Sequence, residues 1–245
     1  MRNILKPNSL TLLLSGGGLL ALLLRQLMAS AAIDDKGLLI SGHPLWIGLW
    51  VLTAAAVLVL LLGTRTIQGP DTYRDSFPAS MLAALGCVPV LIPTLQDAMA
   101  QFHGGSLIPA LISILAAMSF VVAALCRLTR KQIPFLCHGL ICVCFALKML
   151  GLYQTWSFDP QLHDYCFQLF ACIALTITAY QHAAFDAGKG SHRLLWFWGL
   201  AAVYLCFACL DSGLFYAAGG SWALSNLTSL RIRRERRQIE STENT

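Results

Sequence analysis

The chain has 245 residues, of which 57% are hydrophobic and only 12% are charged, and its mean hydropathy is +0.66. Soluble domains carry about 25% charged residues, so this composition excludes an ordinary soluble protein. The formal net charge is +5 at pH 7. The positive residues show no interleaved aromatic residues for stacking on bases, so we expect no nucleic-acid partner.

Seven long apolar segments and one weaker segment follow one another along the chain. A helix needs about 20 apolar residues to cross roughly 30 Å of hydrocarbon. The segments are apolar on every face, which predicts helices and not the alternating strands of a barrel. The predicted spans are 9–28, 45–62, 80–95, 107–126, 135–153, 165–183, 194–210 and the weaker, glycine-containing 214–230, which either spans or re-enters.

We therefore predict an all-α integral membrane protein, a polytopic bundle of about eight transmembrane helices. The predicted single domain covers residues 1–230, and the basic, polar tail at 231–245 is expected to be disordered. The first span also resembles a signal peptide, because Ala29, Ser30 and Ala31 form a small-residue cleavage pattern. Arg25 interrupts the approach to that pattern, which favours an uncleaved span.

The distribution of Lys and Arg predicts the orientation of the bundle, because cytoplasmic loops retain positive charge. With both termini inside and eight crossings, every inner loop has at least two cations, whereas the outer loops have only Lys36 and are otherwise acidic. A chain with seven spans would leave the tail arginines outside. These are Arg231, Arg233, Arg234, Arg236 and Arg237.

The nine cysteines raise the question of a metal or redox site. On a helix His138 and Cys142 share a face, as do Cys206 and Cys209, and such ligands suit zinc or copper(I). A metal site needs deprotonated thiols, and no cation nearby in the sequence favours them. We therefore predict no metal and no cofactor, and free cysteines that act as small hydrophobic side chains.

Enzyme signatures are not found in the sequence: it has no HExxH, no GxSxG and no phosphate-binding glycine loop. His182 and Asp186 lie one helical turn apart at the inner end of the sixth span. We interpret this pair as a helix cap or a surface contact and not as a catalytic pair. We accordingly predict that the protein is not an enzyme.

Five polar residues fall in the outer third of the predicted bilayer or at its rim. They are Arg25, Gln96, Asp97, Lys148 and Asp211. Charges in spans usually face a bundle interior, a cavity or one another, which predicts an outward-facing polar site in which Asp211 pairs with Arg25 or Lys148. The alternative is that Arg25 and Lys148 extend to the lipid headgroups while Asp211 lies in an aqueous turn.

Two prolines in the third span, Pro89 and Pro93, lack amide hydrogens, and their rings oppose the carbonyls four residues earlier. We expect the helix to bend just before Gln96 and Asp97. Bent or broken helices line substrate sites in many transporters, although prolines also occur in spans without that role.

Two classes of function remain open on this basis. The first is a small-solute binding or transport component with an outward-facing polar site. The second is a membrane scaffold, sensor or accessory subunit of a larger membrane complex, and an intramembrane enzyme is a distant third. The expected partners are the lipid bilayer, a small solute, and a membrane protein or a second copy of the chain. The short loops predict a multi-pass protein of the cell membrane, as in a bacterial cytoplasmic membrane.

Overall fold

The computed structural model describes residues 7–31, 43–65, 71–73, 77–129, 131, 133–156 and 162–232. Over these residues the chain folds into eight α-helices. Their bounds are α1 (Pro7–Ala31), α2 (Pro44–Arg65), α3 (Phe77–His103), α4 (Leu107–Leu128), α5 (Phe135–Trp156), α6 (Leu162–Asp186), α7 (His192–Ala208) and α8 (Leu214–Ser229). A 3-10 turn, Leu210–Ser212, joins α7 to α8, and two short strands, β1 (Asp71–Tyr73) and β2 (Leu230–Ile232), pair with each other.

Five of the helices in the described ranges, α1 to α5, are long and apolar enough to cross a membrane, and α7 is a shorter apolar helix. Large apolar side chains such as Leu12, Val51 and Ile108 are exposed on these helices. Surfaces of this kind fit a hydrocarbon environment, because a monomeric soluble protein rarely exposes such extensive apolar area. The architecture agrees with the predicted helical membrane protein.

Helices α7 and α8 form the centre of the bundle. α7 packs against α1, α2, α6 and α8, while α3 packs against both α4 and α8, and α5 lies between α4 and α6. Two glycines permit close approaches between helices: a Cβ on Gly18 of α1 would stand 2.7 Å from the carbonyl oxygen of Tyr204, and one on Gly86 of α3 would overlap Ser225 of α8. Small residues allow membrane helices to pack closely without a hydrophobic driving force between them.

Helix α3 is longer than the predicted span 80–95, because it continues through both prolines to His103. Gln96 and Asp97, which we expected after the span, therefore lie within the helix. Each proline removes only one backbone hydrogen bond, and the residues that follow include good helix formers. The expected bend at Pro89 and Pro93 stays a prediction.

The last helix ends at Ser229, and the next three residues, Leu230–Ile232, form β2. β2 pairs antiparallel with β1 of the α2–α3 connection, with Thr72 opposite Arg231. Residues 231 and 232, the first two of the predicted tail, belong to this strand, and the predicted disorder of the tail stays a prediction. The other tail arginines, Lys36 and most of the predicted outer acidic residues lie outside the described residues.

Candidate functional site

Arg25 of α1 forms an ion pair with Asp211 of the 3-10 turn. Its Nη1 donates to Asp211 Oδ1 at 3.2 Å and to the carbonyl oxygen of Ala208 at 2.8 Å. Ala208 is the last residue of α7, where carbonyls have no partner within the helix and a cation is favoured. The Arg25 side chain is 11% exposed and that of Asp211 33%, so the guanidinium points into the bundle and does not extend to solvent.

Lys148 of α5 is paired with Asp97 of α3. The lysine Nζ lies 2.8 Å from both carboxylate oxygens, and the two side chains are 29% and 31% exposed. The pair exists because α3 continues past its prolines and carries Asp97 within reach of Lys148 on α5. The sequence left two cations, Arg25 and Lys148, as partners for Asp211. In the structure Arg25 pairs with Asp211, and Lys148 pairs with Asp97.

A chain of hydrogen bonds extends from Asp211 into the bundle. Ser212 Oγ donates to Asp211 Oδ1 at 3.3 Å, and Gln168 Nε2 donates to Ser212 Oγ at 2.9 Å. Tyr216 OH donates to Gln168 Oε1 at 3.5 Å, and Cys172 Sγ approaches Tyr216 OH at 3.9 Å. We call Arg25, Asp211, Ser212, Gln168 and Tyr216 the polar network.

The polar network and the Asp97–Lys148 pair adjoin the first turn of α8. Lys148 Nζ lies 5.5 Å from the centre of the Phe215 ring, which in turn packs against Tyr216. Gln96 is not part of this arrangement, since its side chain is exposed and successive helical residues point in different directions. Sequence reasoning missed Gln168, whose polar amide in an otherwise apolar helix was the available signal.

The cysteines take up individual positions. Cys142 Sγ donates to the carbonyl of Thr176 at 3.4 Å, whereas Cys206 and Cys209 are buried on α7 and its C-terminal end. Across the part of the chain that the structure describes, no group of three or more His, Cys, Asp or Glu side chains is arranged to hold a metal ion. The nine cysteines all lie among the described residues, and none of them forms a disulfide.

A second set of buried polar side chains lies nearer the opposite ends of α5 and α6. His138 Nε2 of α5 is 3.2 Å from Asp186 Oδ2, and the His138 ring stacks on that of His182 with centres 5.4 Å apart. The His182 ring meets the Trp222 indole edge-on at 5.8 Å. We call His138, His182, Asp186 and Trp222 the histidine cluster.

The histidine cluster corrects the interpretation of His182 and Asp186 as a surface contact or cap. His182 is fully buried and Asp186 contacts a histidine from another helix. Hydropathy places both residues near the end of a span, but α5 packs along α6 and covers that face. The packing of one helix against another was not visible in the sequence of either helix.

Comparisons with known proteins yield no match to this chain, whether with protein-family models, with curated proteins or with solved structures. Functional inference therefore depends on the two ion pairs, the polar network and the histidine cluster.

Proposed function

We propose that the protein binds or transports a small polar solute within the membrane, at a site formed by the polar network and the Asp97–Lys148 pair. One observation carries this proposal: four charged side chains from three helices and the α7–α8 turn form two opposite-charge pairs, and both pairs adjoin the first turn of α8. Charges are costly in a membrane protein, and those that face the interior commonly mark a substrate path.

The partial exposure of both pairs supports a binding role. Asp97, Lys148 and Asp211 are each about a third exposed, so their charged groups remain accessible to a small molecule. A solute that carries a carboxylate or an amine can replace one member of a pair while the other member binds it. Gln168 and Tyr216 add neutral groups that donate and accept hydrogen bonds beside the charges.

The second candidate is a scaffold or accessory subunit, and one observation favours it. Each of the four charges already has a partner of opposite sign, which is also what a purely structural role requires. In that case the apolar faces of the outer helices bind another membrane protein or a second copy of the chain. Solute binding and structural pairing differ in whether a solute stabilises the protein.

The topology proposed for this function has eight crossings with both termini in the cytoplasm of a cell such as a bacterium. Support comes from the pairing of β1, which precedes α3, with β2, which follows α8. Two strands that pair lie on the same side of a membrane, so an even number of crossings separates them. The six helices α3 to α8 meet this condition, including the short α7 and α8.

Thermal unfolding in detergent tests the proposal with a panel of amino acids, organic acids and amines. A solute at about 100 times its Kd stabilises the folded state by about 2.7 kcal/mol, which raises Tm by about 5 °C or more. We expect at least one solute to do so in the wild type and to fail in Arg25→Gln and Lys148→Gln.

The matched control is Lys189→Gln, which removes an exposed cation beyond the far end of α6 and should keep the response to the solute. If the two variants lose stability while no solute of the panel shifts the wild type, solute binding is contradicted and the structural role is favoured.

A further inference from the structure

The histidine cluster brings together two imidazoles and a carboxylate from neighbouring helices, away from the proposed solute site. His138 is 1% exposed and His182 is 0% exposed, while the side chain of Asp186 is 9% exposed. An imidazole is the side chain that ordinarily takes up and releases a proton near neutral pH, whereas a carboxylate is ordinarily charged there. Their burial in an apolar bundle is costly unless they have a role or compensating contacts.

Several atoms of the cluster make no hydrogen bond with any residue that the structure describes. They are both ring nitrogens of His138, Oδ2 of Asp186 and Nε1 of Trp222. His138 Nε2 and Asp186 Oδ2 lie 3.2 Å apart without forming a hydrogen bond, and the contact becomes an ion pair when His138 carries a proton. The ring nitrogen of His138 that carries no hydrogen can therefore accept a proton through its lone pair.

Other ionisable groups around the histidine cluster lie on α3, α4 and α5. Arg127 of α4 is buried and interacts electrostatically with His182 and with Cys87 of α3. Cys137 of α5 lies next to Cys126 of α4. An ordinary thiol stays protonated near neutral pH, and an ordinary carboxylate and an arginine stay charged, so the imidazoles are the groups able to exchange a proton there.

The arrangement favours the uptake of one proton and disfavours a second. A proton added to neutral His138 creates an imidazolium opposite the Asp186 carboxylate, which is an attractive pair. A second proton on His182 would put two cations face to face at a ring separation of 5.4 Å, with Arg127 adding a third positive charge. The stacked arrangement therefore favours one added proton over two, as expected for two coupled sites.

We propose that the histidine cluster is an internal proton-binding site, in which His138 takes up one proton from the aqueous phase and Asp186 stabilises it. The proton adds to a lone pair of the imidazole and returns to water when the pH rises, so no other reactant is required. This inference is independent of the proposed solute site, because its geometry involves different residues.

The Trp222 indole provides a built-in probe, because it contacts His182, which stacks on His138, and a positive charge added to that stack changes the electrostatic environment and the emission of the indole. The measurement is the emission of the full-length protein in detergent minus that of Trp222→Phe, followed from about pH 8 to pH 5. We expect this difference signal to change with the slope of a one-proton transition. His138→Gln should abolish the transition.

Two substitutions at Asp186 test the role of the carboxylate. Asp186→Asn should move the transition to lower pH by about 1 unit or more, because the negative charge that favours the imidazolium is lost. Asp186→Glu keeps the charge and should retain the transition. His103→Gln, at an exposed histidine bonded to the Met99 carbonyl, is the matched control and should behave as the wild type.

A flat difference signal in the wild type, or a transition that persists in folded His138→Gln, would overturn the proposal. A transition that is lost in His182→Gln and kept in His138→Gln would assign the proton to the other ring and contradict His138. The folding of His138→Gln is judged by its helical circular dichroism and its elution volume. If this variant does not fold, the two Asp186 variants test the proposal. Equal midpoints of the pH transition in Asp186→Asn and Asp186→Glu would then contradict it.

Discussion

Arg25 is held by two acceptors, one at the C-terminal end of α7 and one in the turn that follows it. One is the carboxylate of Asp211 and the other is the final carbonyl of α7, Ala208. A cation at this position both neutralises the acid and satisfies an oxygen that the helix leaves unpaired. The side chain therefore couples α1 to the α7–α8 turn through charge and through the backbone.

A double-mutant cycle measures the Arg25–Asp211 interaction. Asp211→Asn leaves the partly buried guanidinium without its counter-charge, and we expect a loss of about 1 to 3 kcal/mol, between the values for exposed and buried pairs. Arg25→Gln should cost a similar or larger amount, because Ala208 also loses its donor. Unfolding in detergent is the measurement. The double mutant should lose less stability than the two single losses added together.

The same cycle between Arg25 and Asp97 is the control. These residues belong to different ion pairs, so their losses should add within about 0.5 kcal/mol. Additive losses for Arg25 and Asp211 would show that the 3.2 Å contact contributes nothing to stability. Strong coupling between Arg25 and Asp97 would instead mean that the two pairs act as one charged unit.

At the scale of elements, the contact of α1 with α7 depends on a residue without a side chain. A Cβ on Gly18 would stand 2.7 Å from the Tyr204 carbonyl oxygen and 2.8 Å from the Phe207 Cβ. Neither atom is the end of a flexible side chain, so the helices would have to separate. Arg25 lies two turns further along α1, so the same contact positions the ion pair.

Gly18→Ala and Gly16→Ala form a matched pair of substitutions on one helix. We expect Gly18→Ala to destabilise the protein by about 1 to 3 kcal/mol, as overpacking does, and to weaken the coupling of Arg25 with Asp211. A Cβ on Gly16 would meet no atom within 4 Å, so alanine there should be neutral or stabilise by about 0.5 to 1 kcal/mol. Equal Tm values for the two variants would contradict the close approach of α1 and α7.

At the scale of the whole molecule, β1 and β2 join the α2–α3 connection to the segment after α8. The six helices between them begin and end at one side of the bundle. This pairing bears on the weakest predicted span, because α8 has 16 residues and lies below the usual length of a membrane-crossing helix.

Disulfide trapping tests this pairing in native membranes. Thr72→Cys combined with Arg231→Cys should form a disulfide with an added oxidant, because the two positions are direct antiparallel partners. Thr72→Cys with Gly105→Cys is the control, since Gly105 lies in the turn at the other end of α3, and it should not cross-link. Peptide mass mapping distinguishes the disulfide between positions 72 and 231 from any disulfide that the oxidant forms with a native cysteine.

Reporter fusions supply the orientation that the cross-link leaves open. A fusion after Arg237 should be cytoplasmic, and a fusion at Asp159 should be external. A cytoplasmic signal at both positions would contradict eight crossings, and an external tail would remove α8 as a span.

The sequence alone determined the class of the protein and the order of its helices. Hydropathy is a sum over neighbouring residues, so the segments 9–28, 45–62 and 107–126 already indicate α1, α2 and α4. The cost of a charge in hydrocarbon is also a local property. The sequence alone therefore identifies Arg25, Asp97, Lys148 and Asp211 as candidate site residues.

Only the tertiary structure decided which of these groups meet. Helices that are apolar on every face carry no periodic signal for the side that faces a neighbour, so the sequence left open whether Asp211 would pair with Arg25 or Lys148. The length of α3 beyond its prolines and the packing of α5 along α6 brought Asp97 to Lys148 and Asp186 to His138. Both contacts depend on which faces of two helices meet, which is a property of the pair of surfaces and not of either segment.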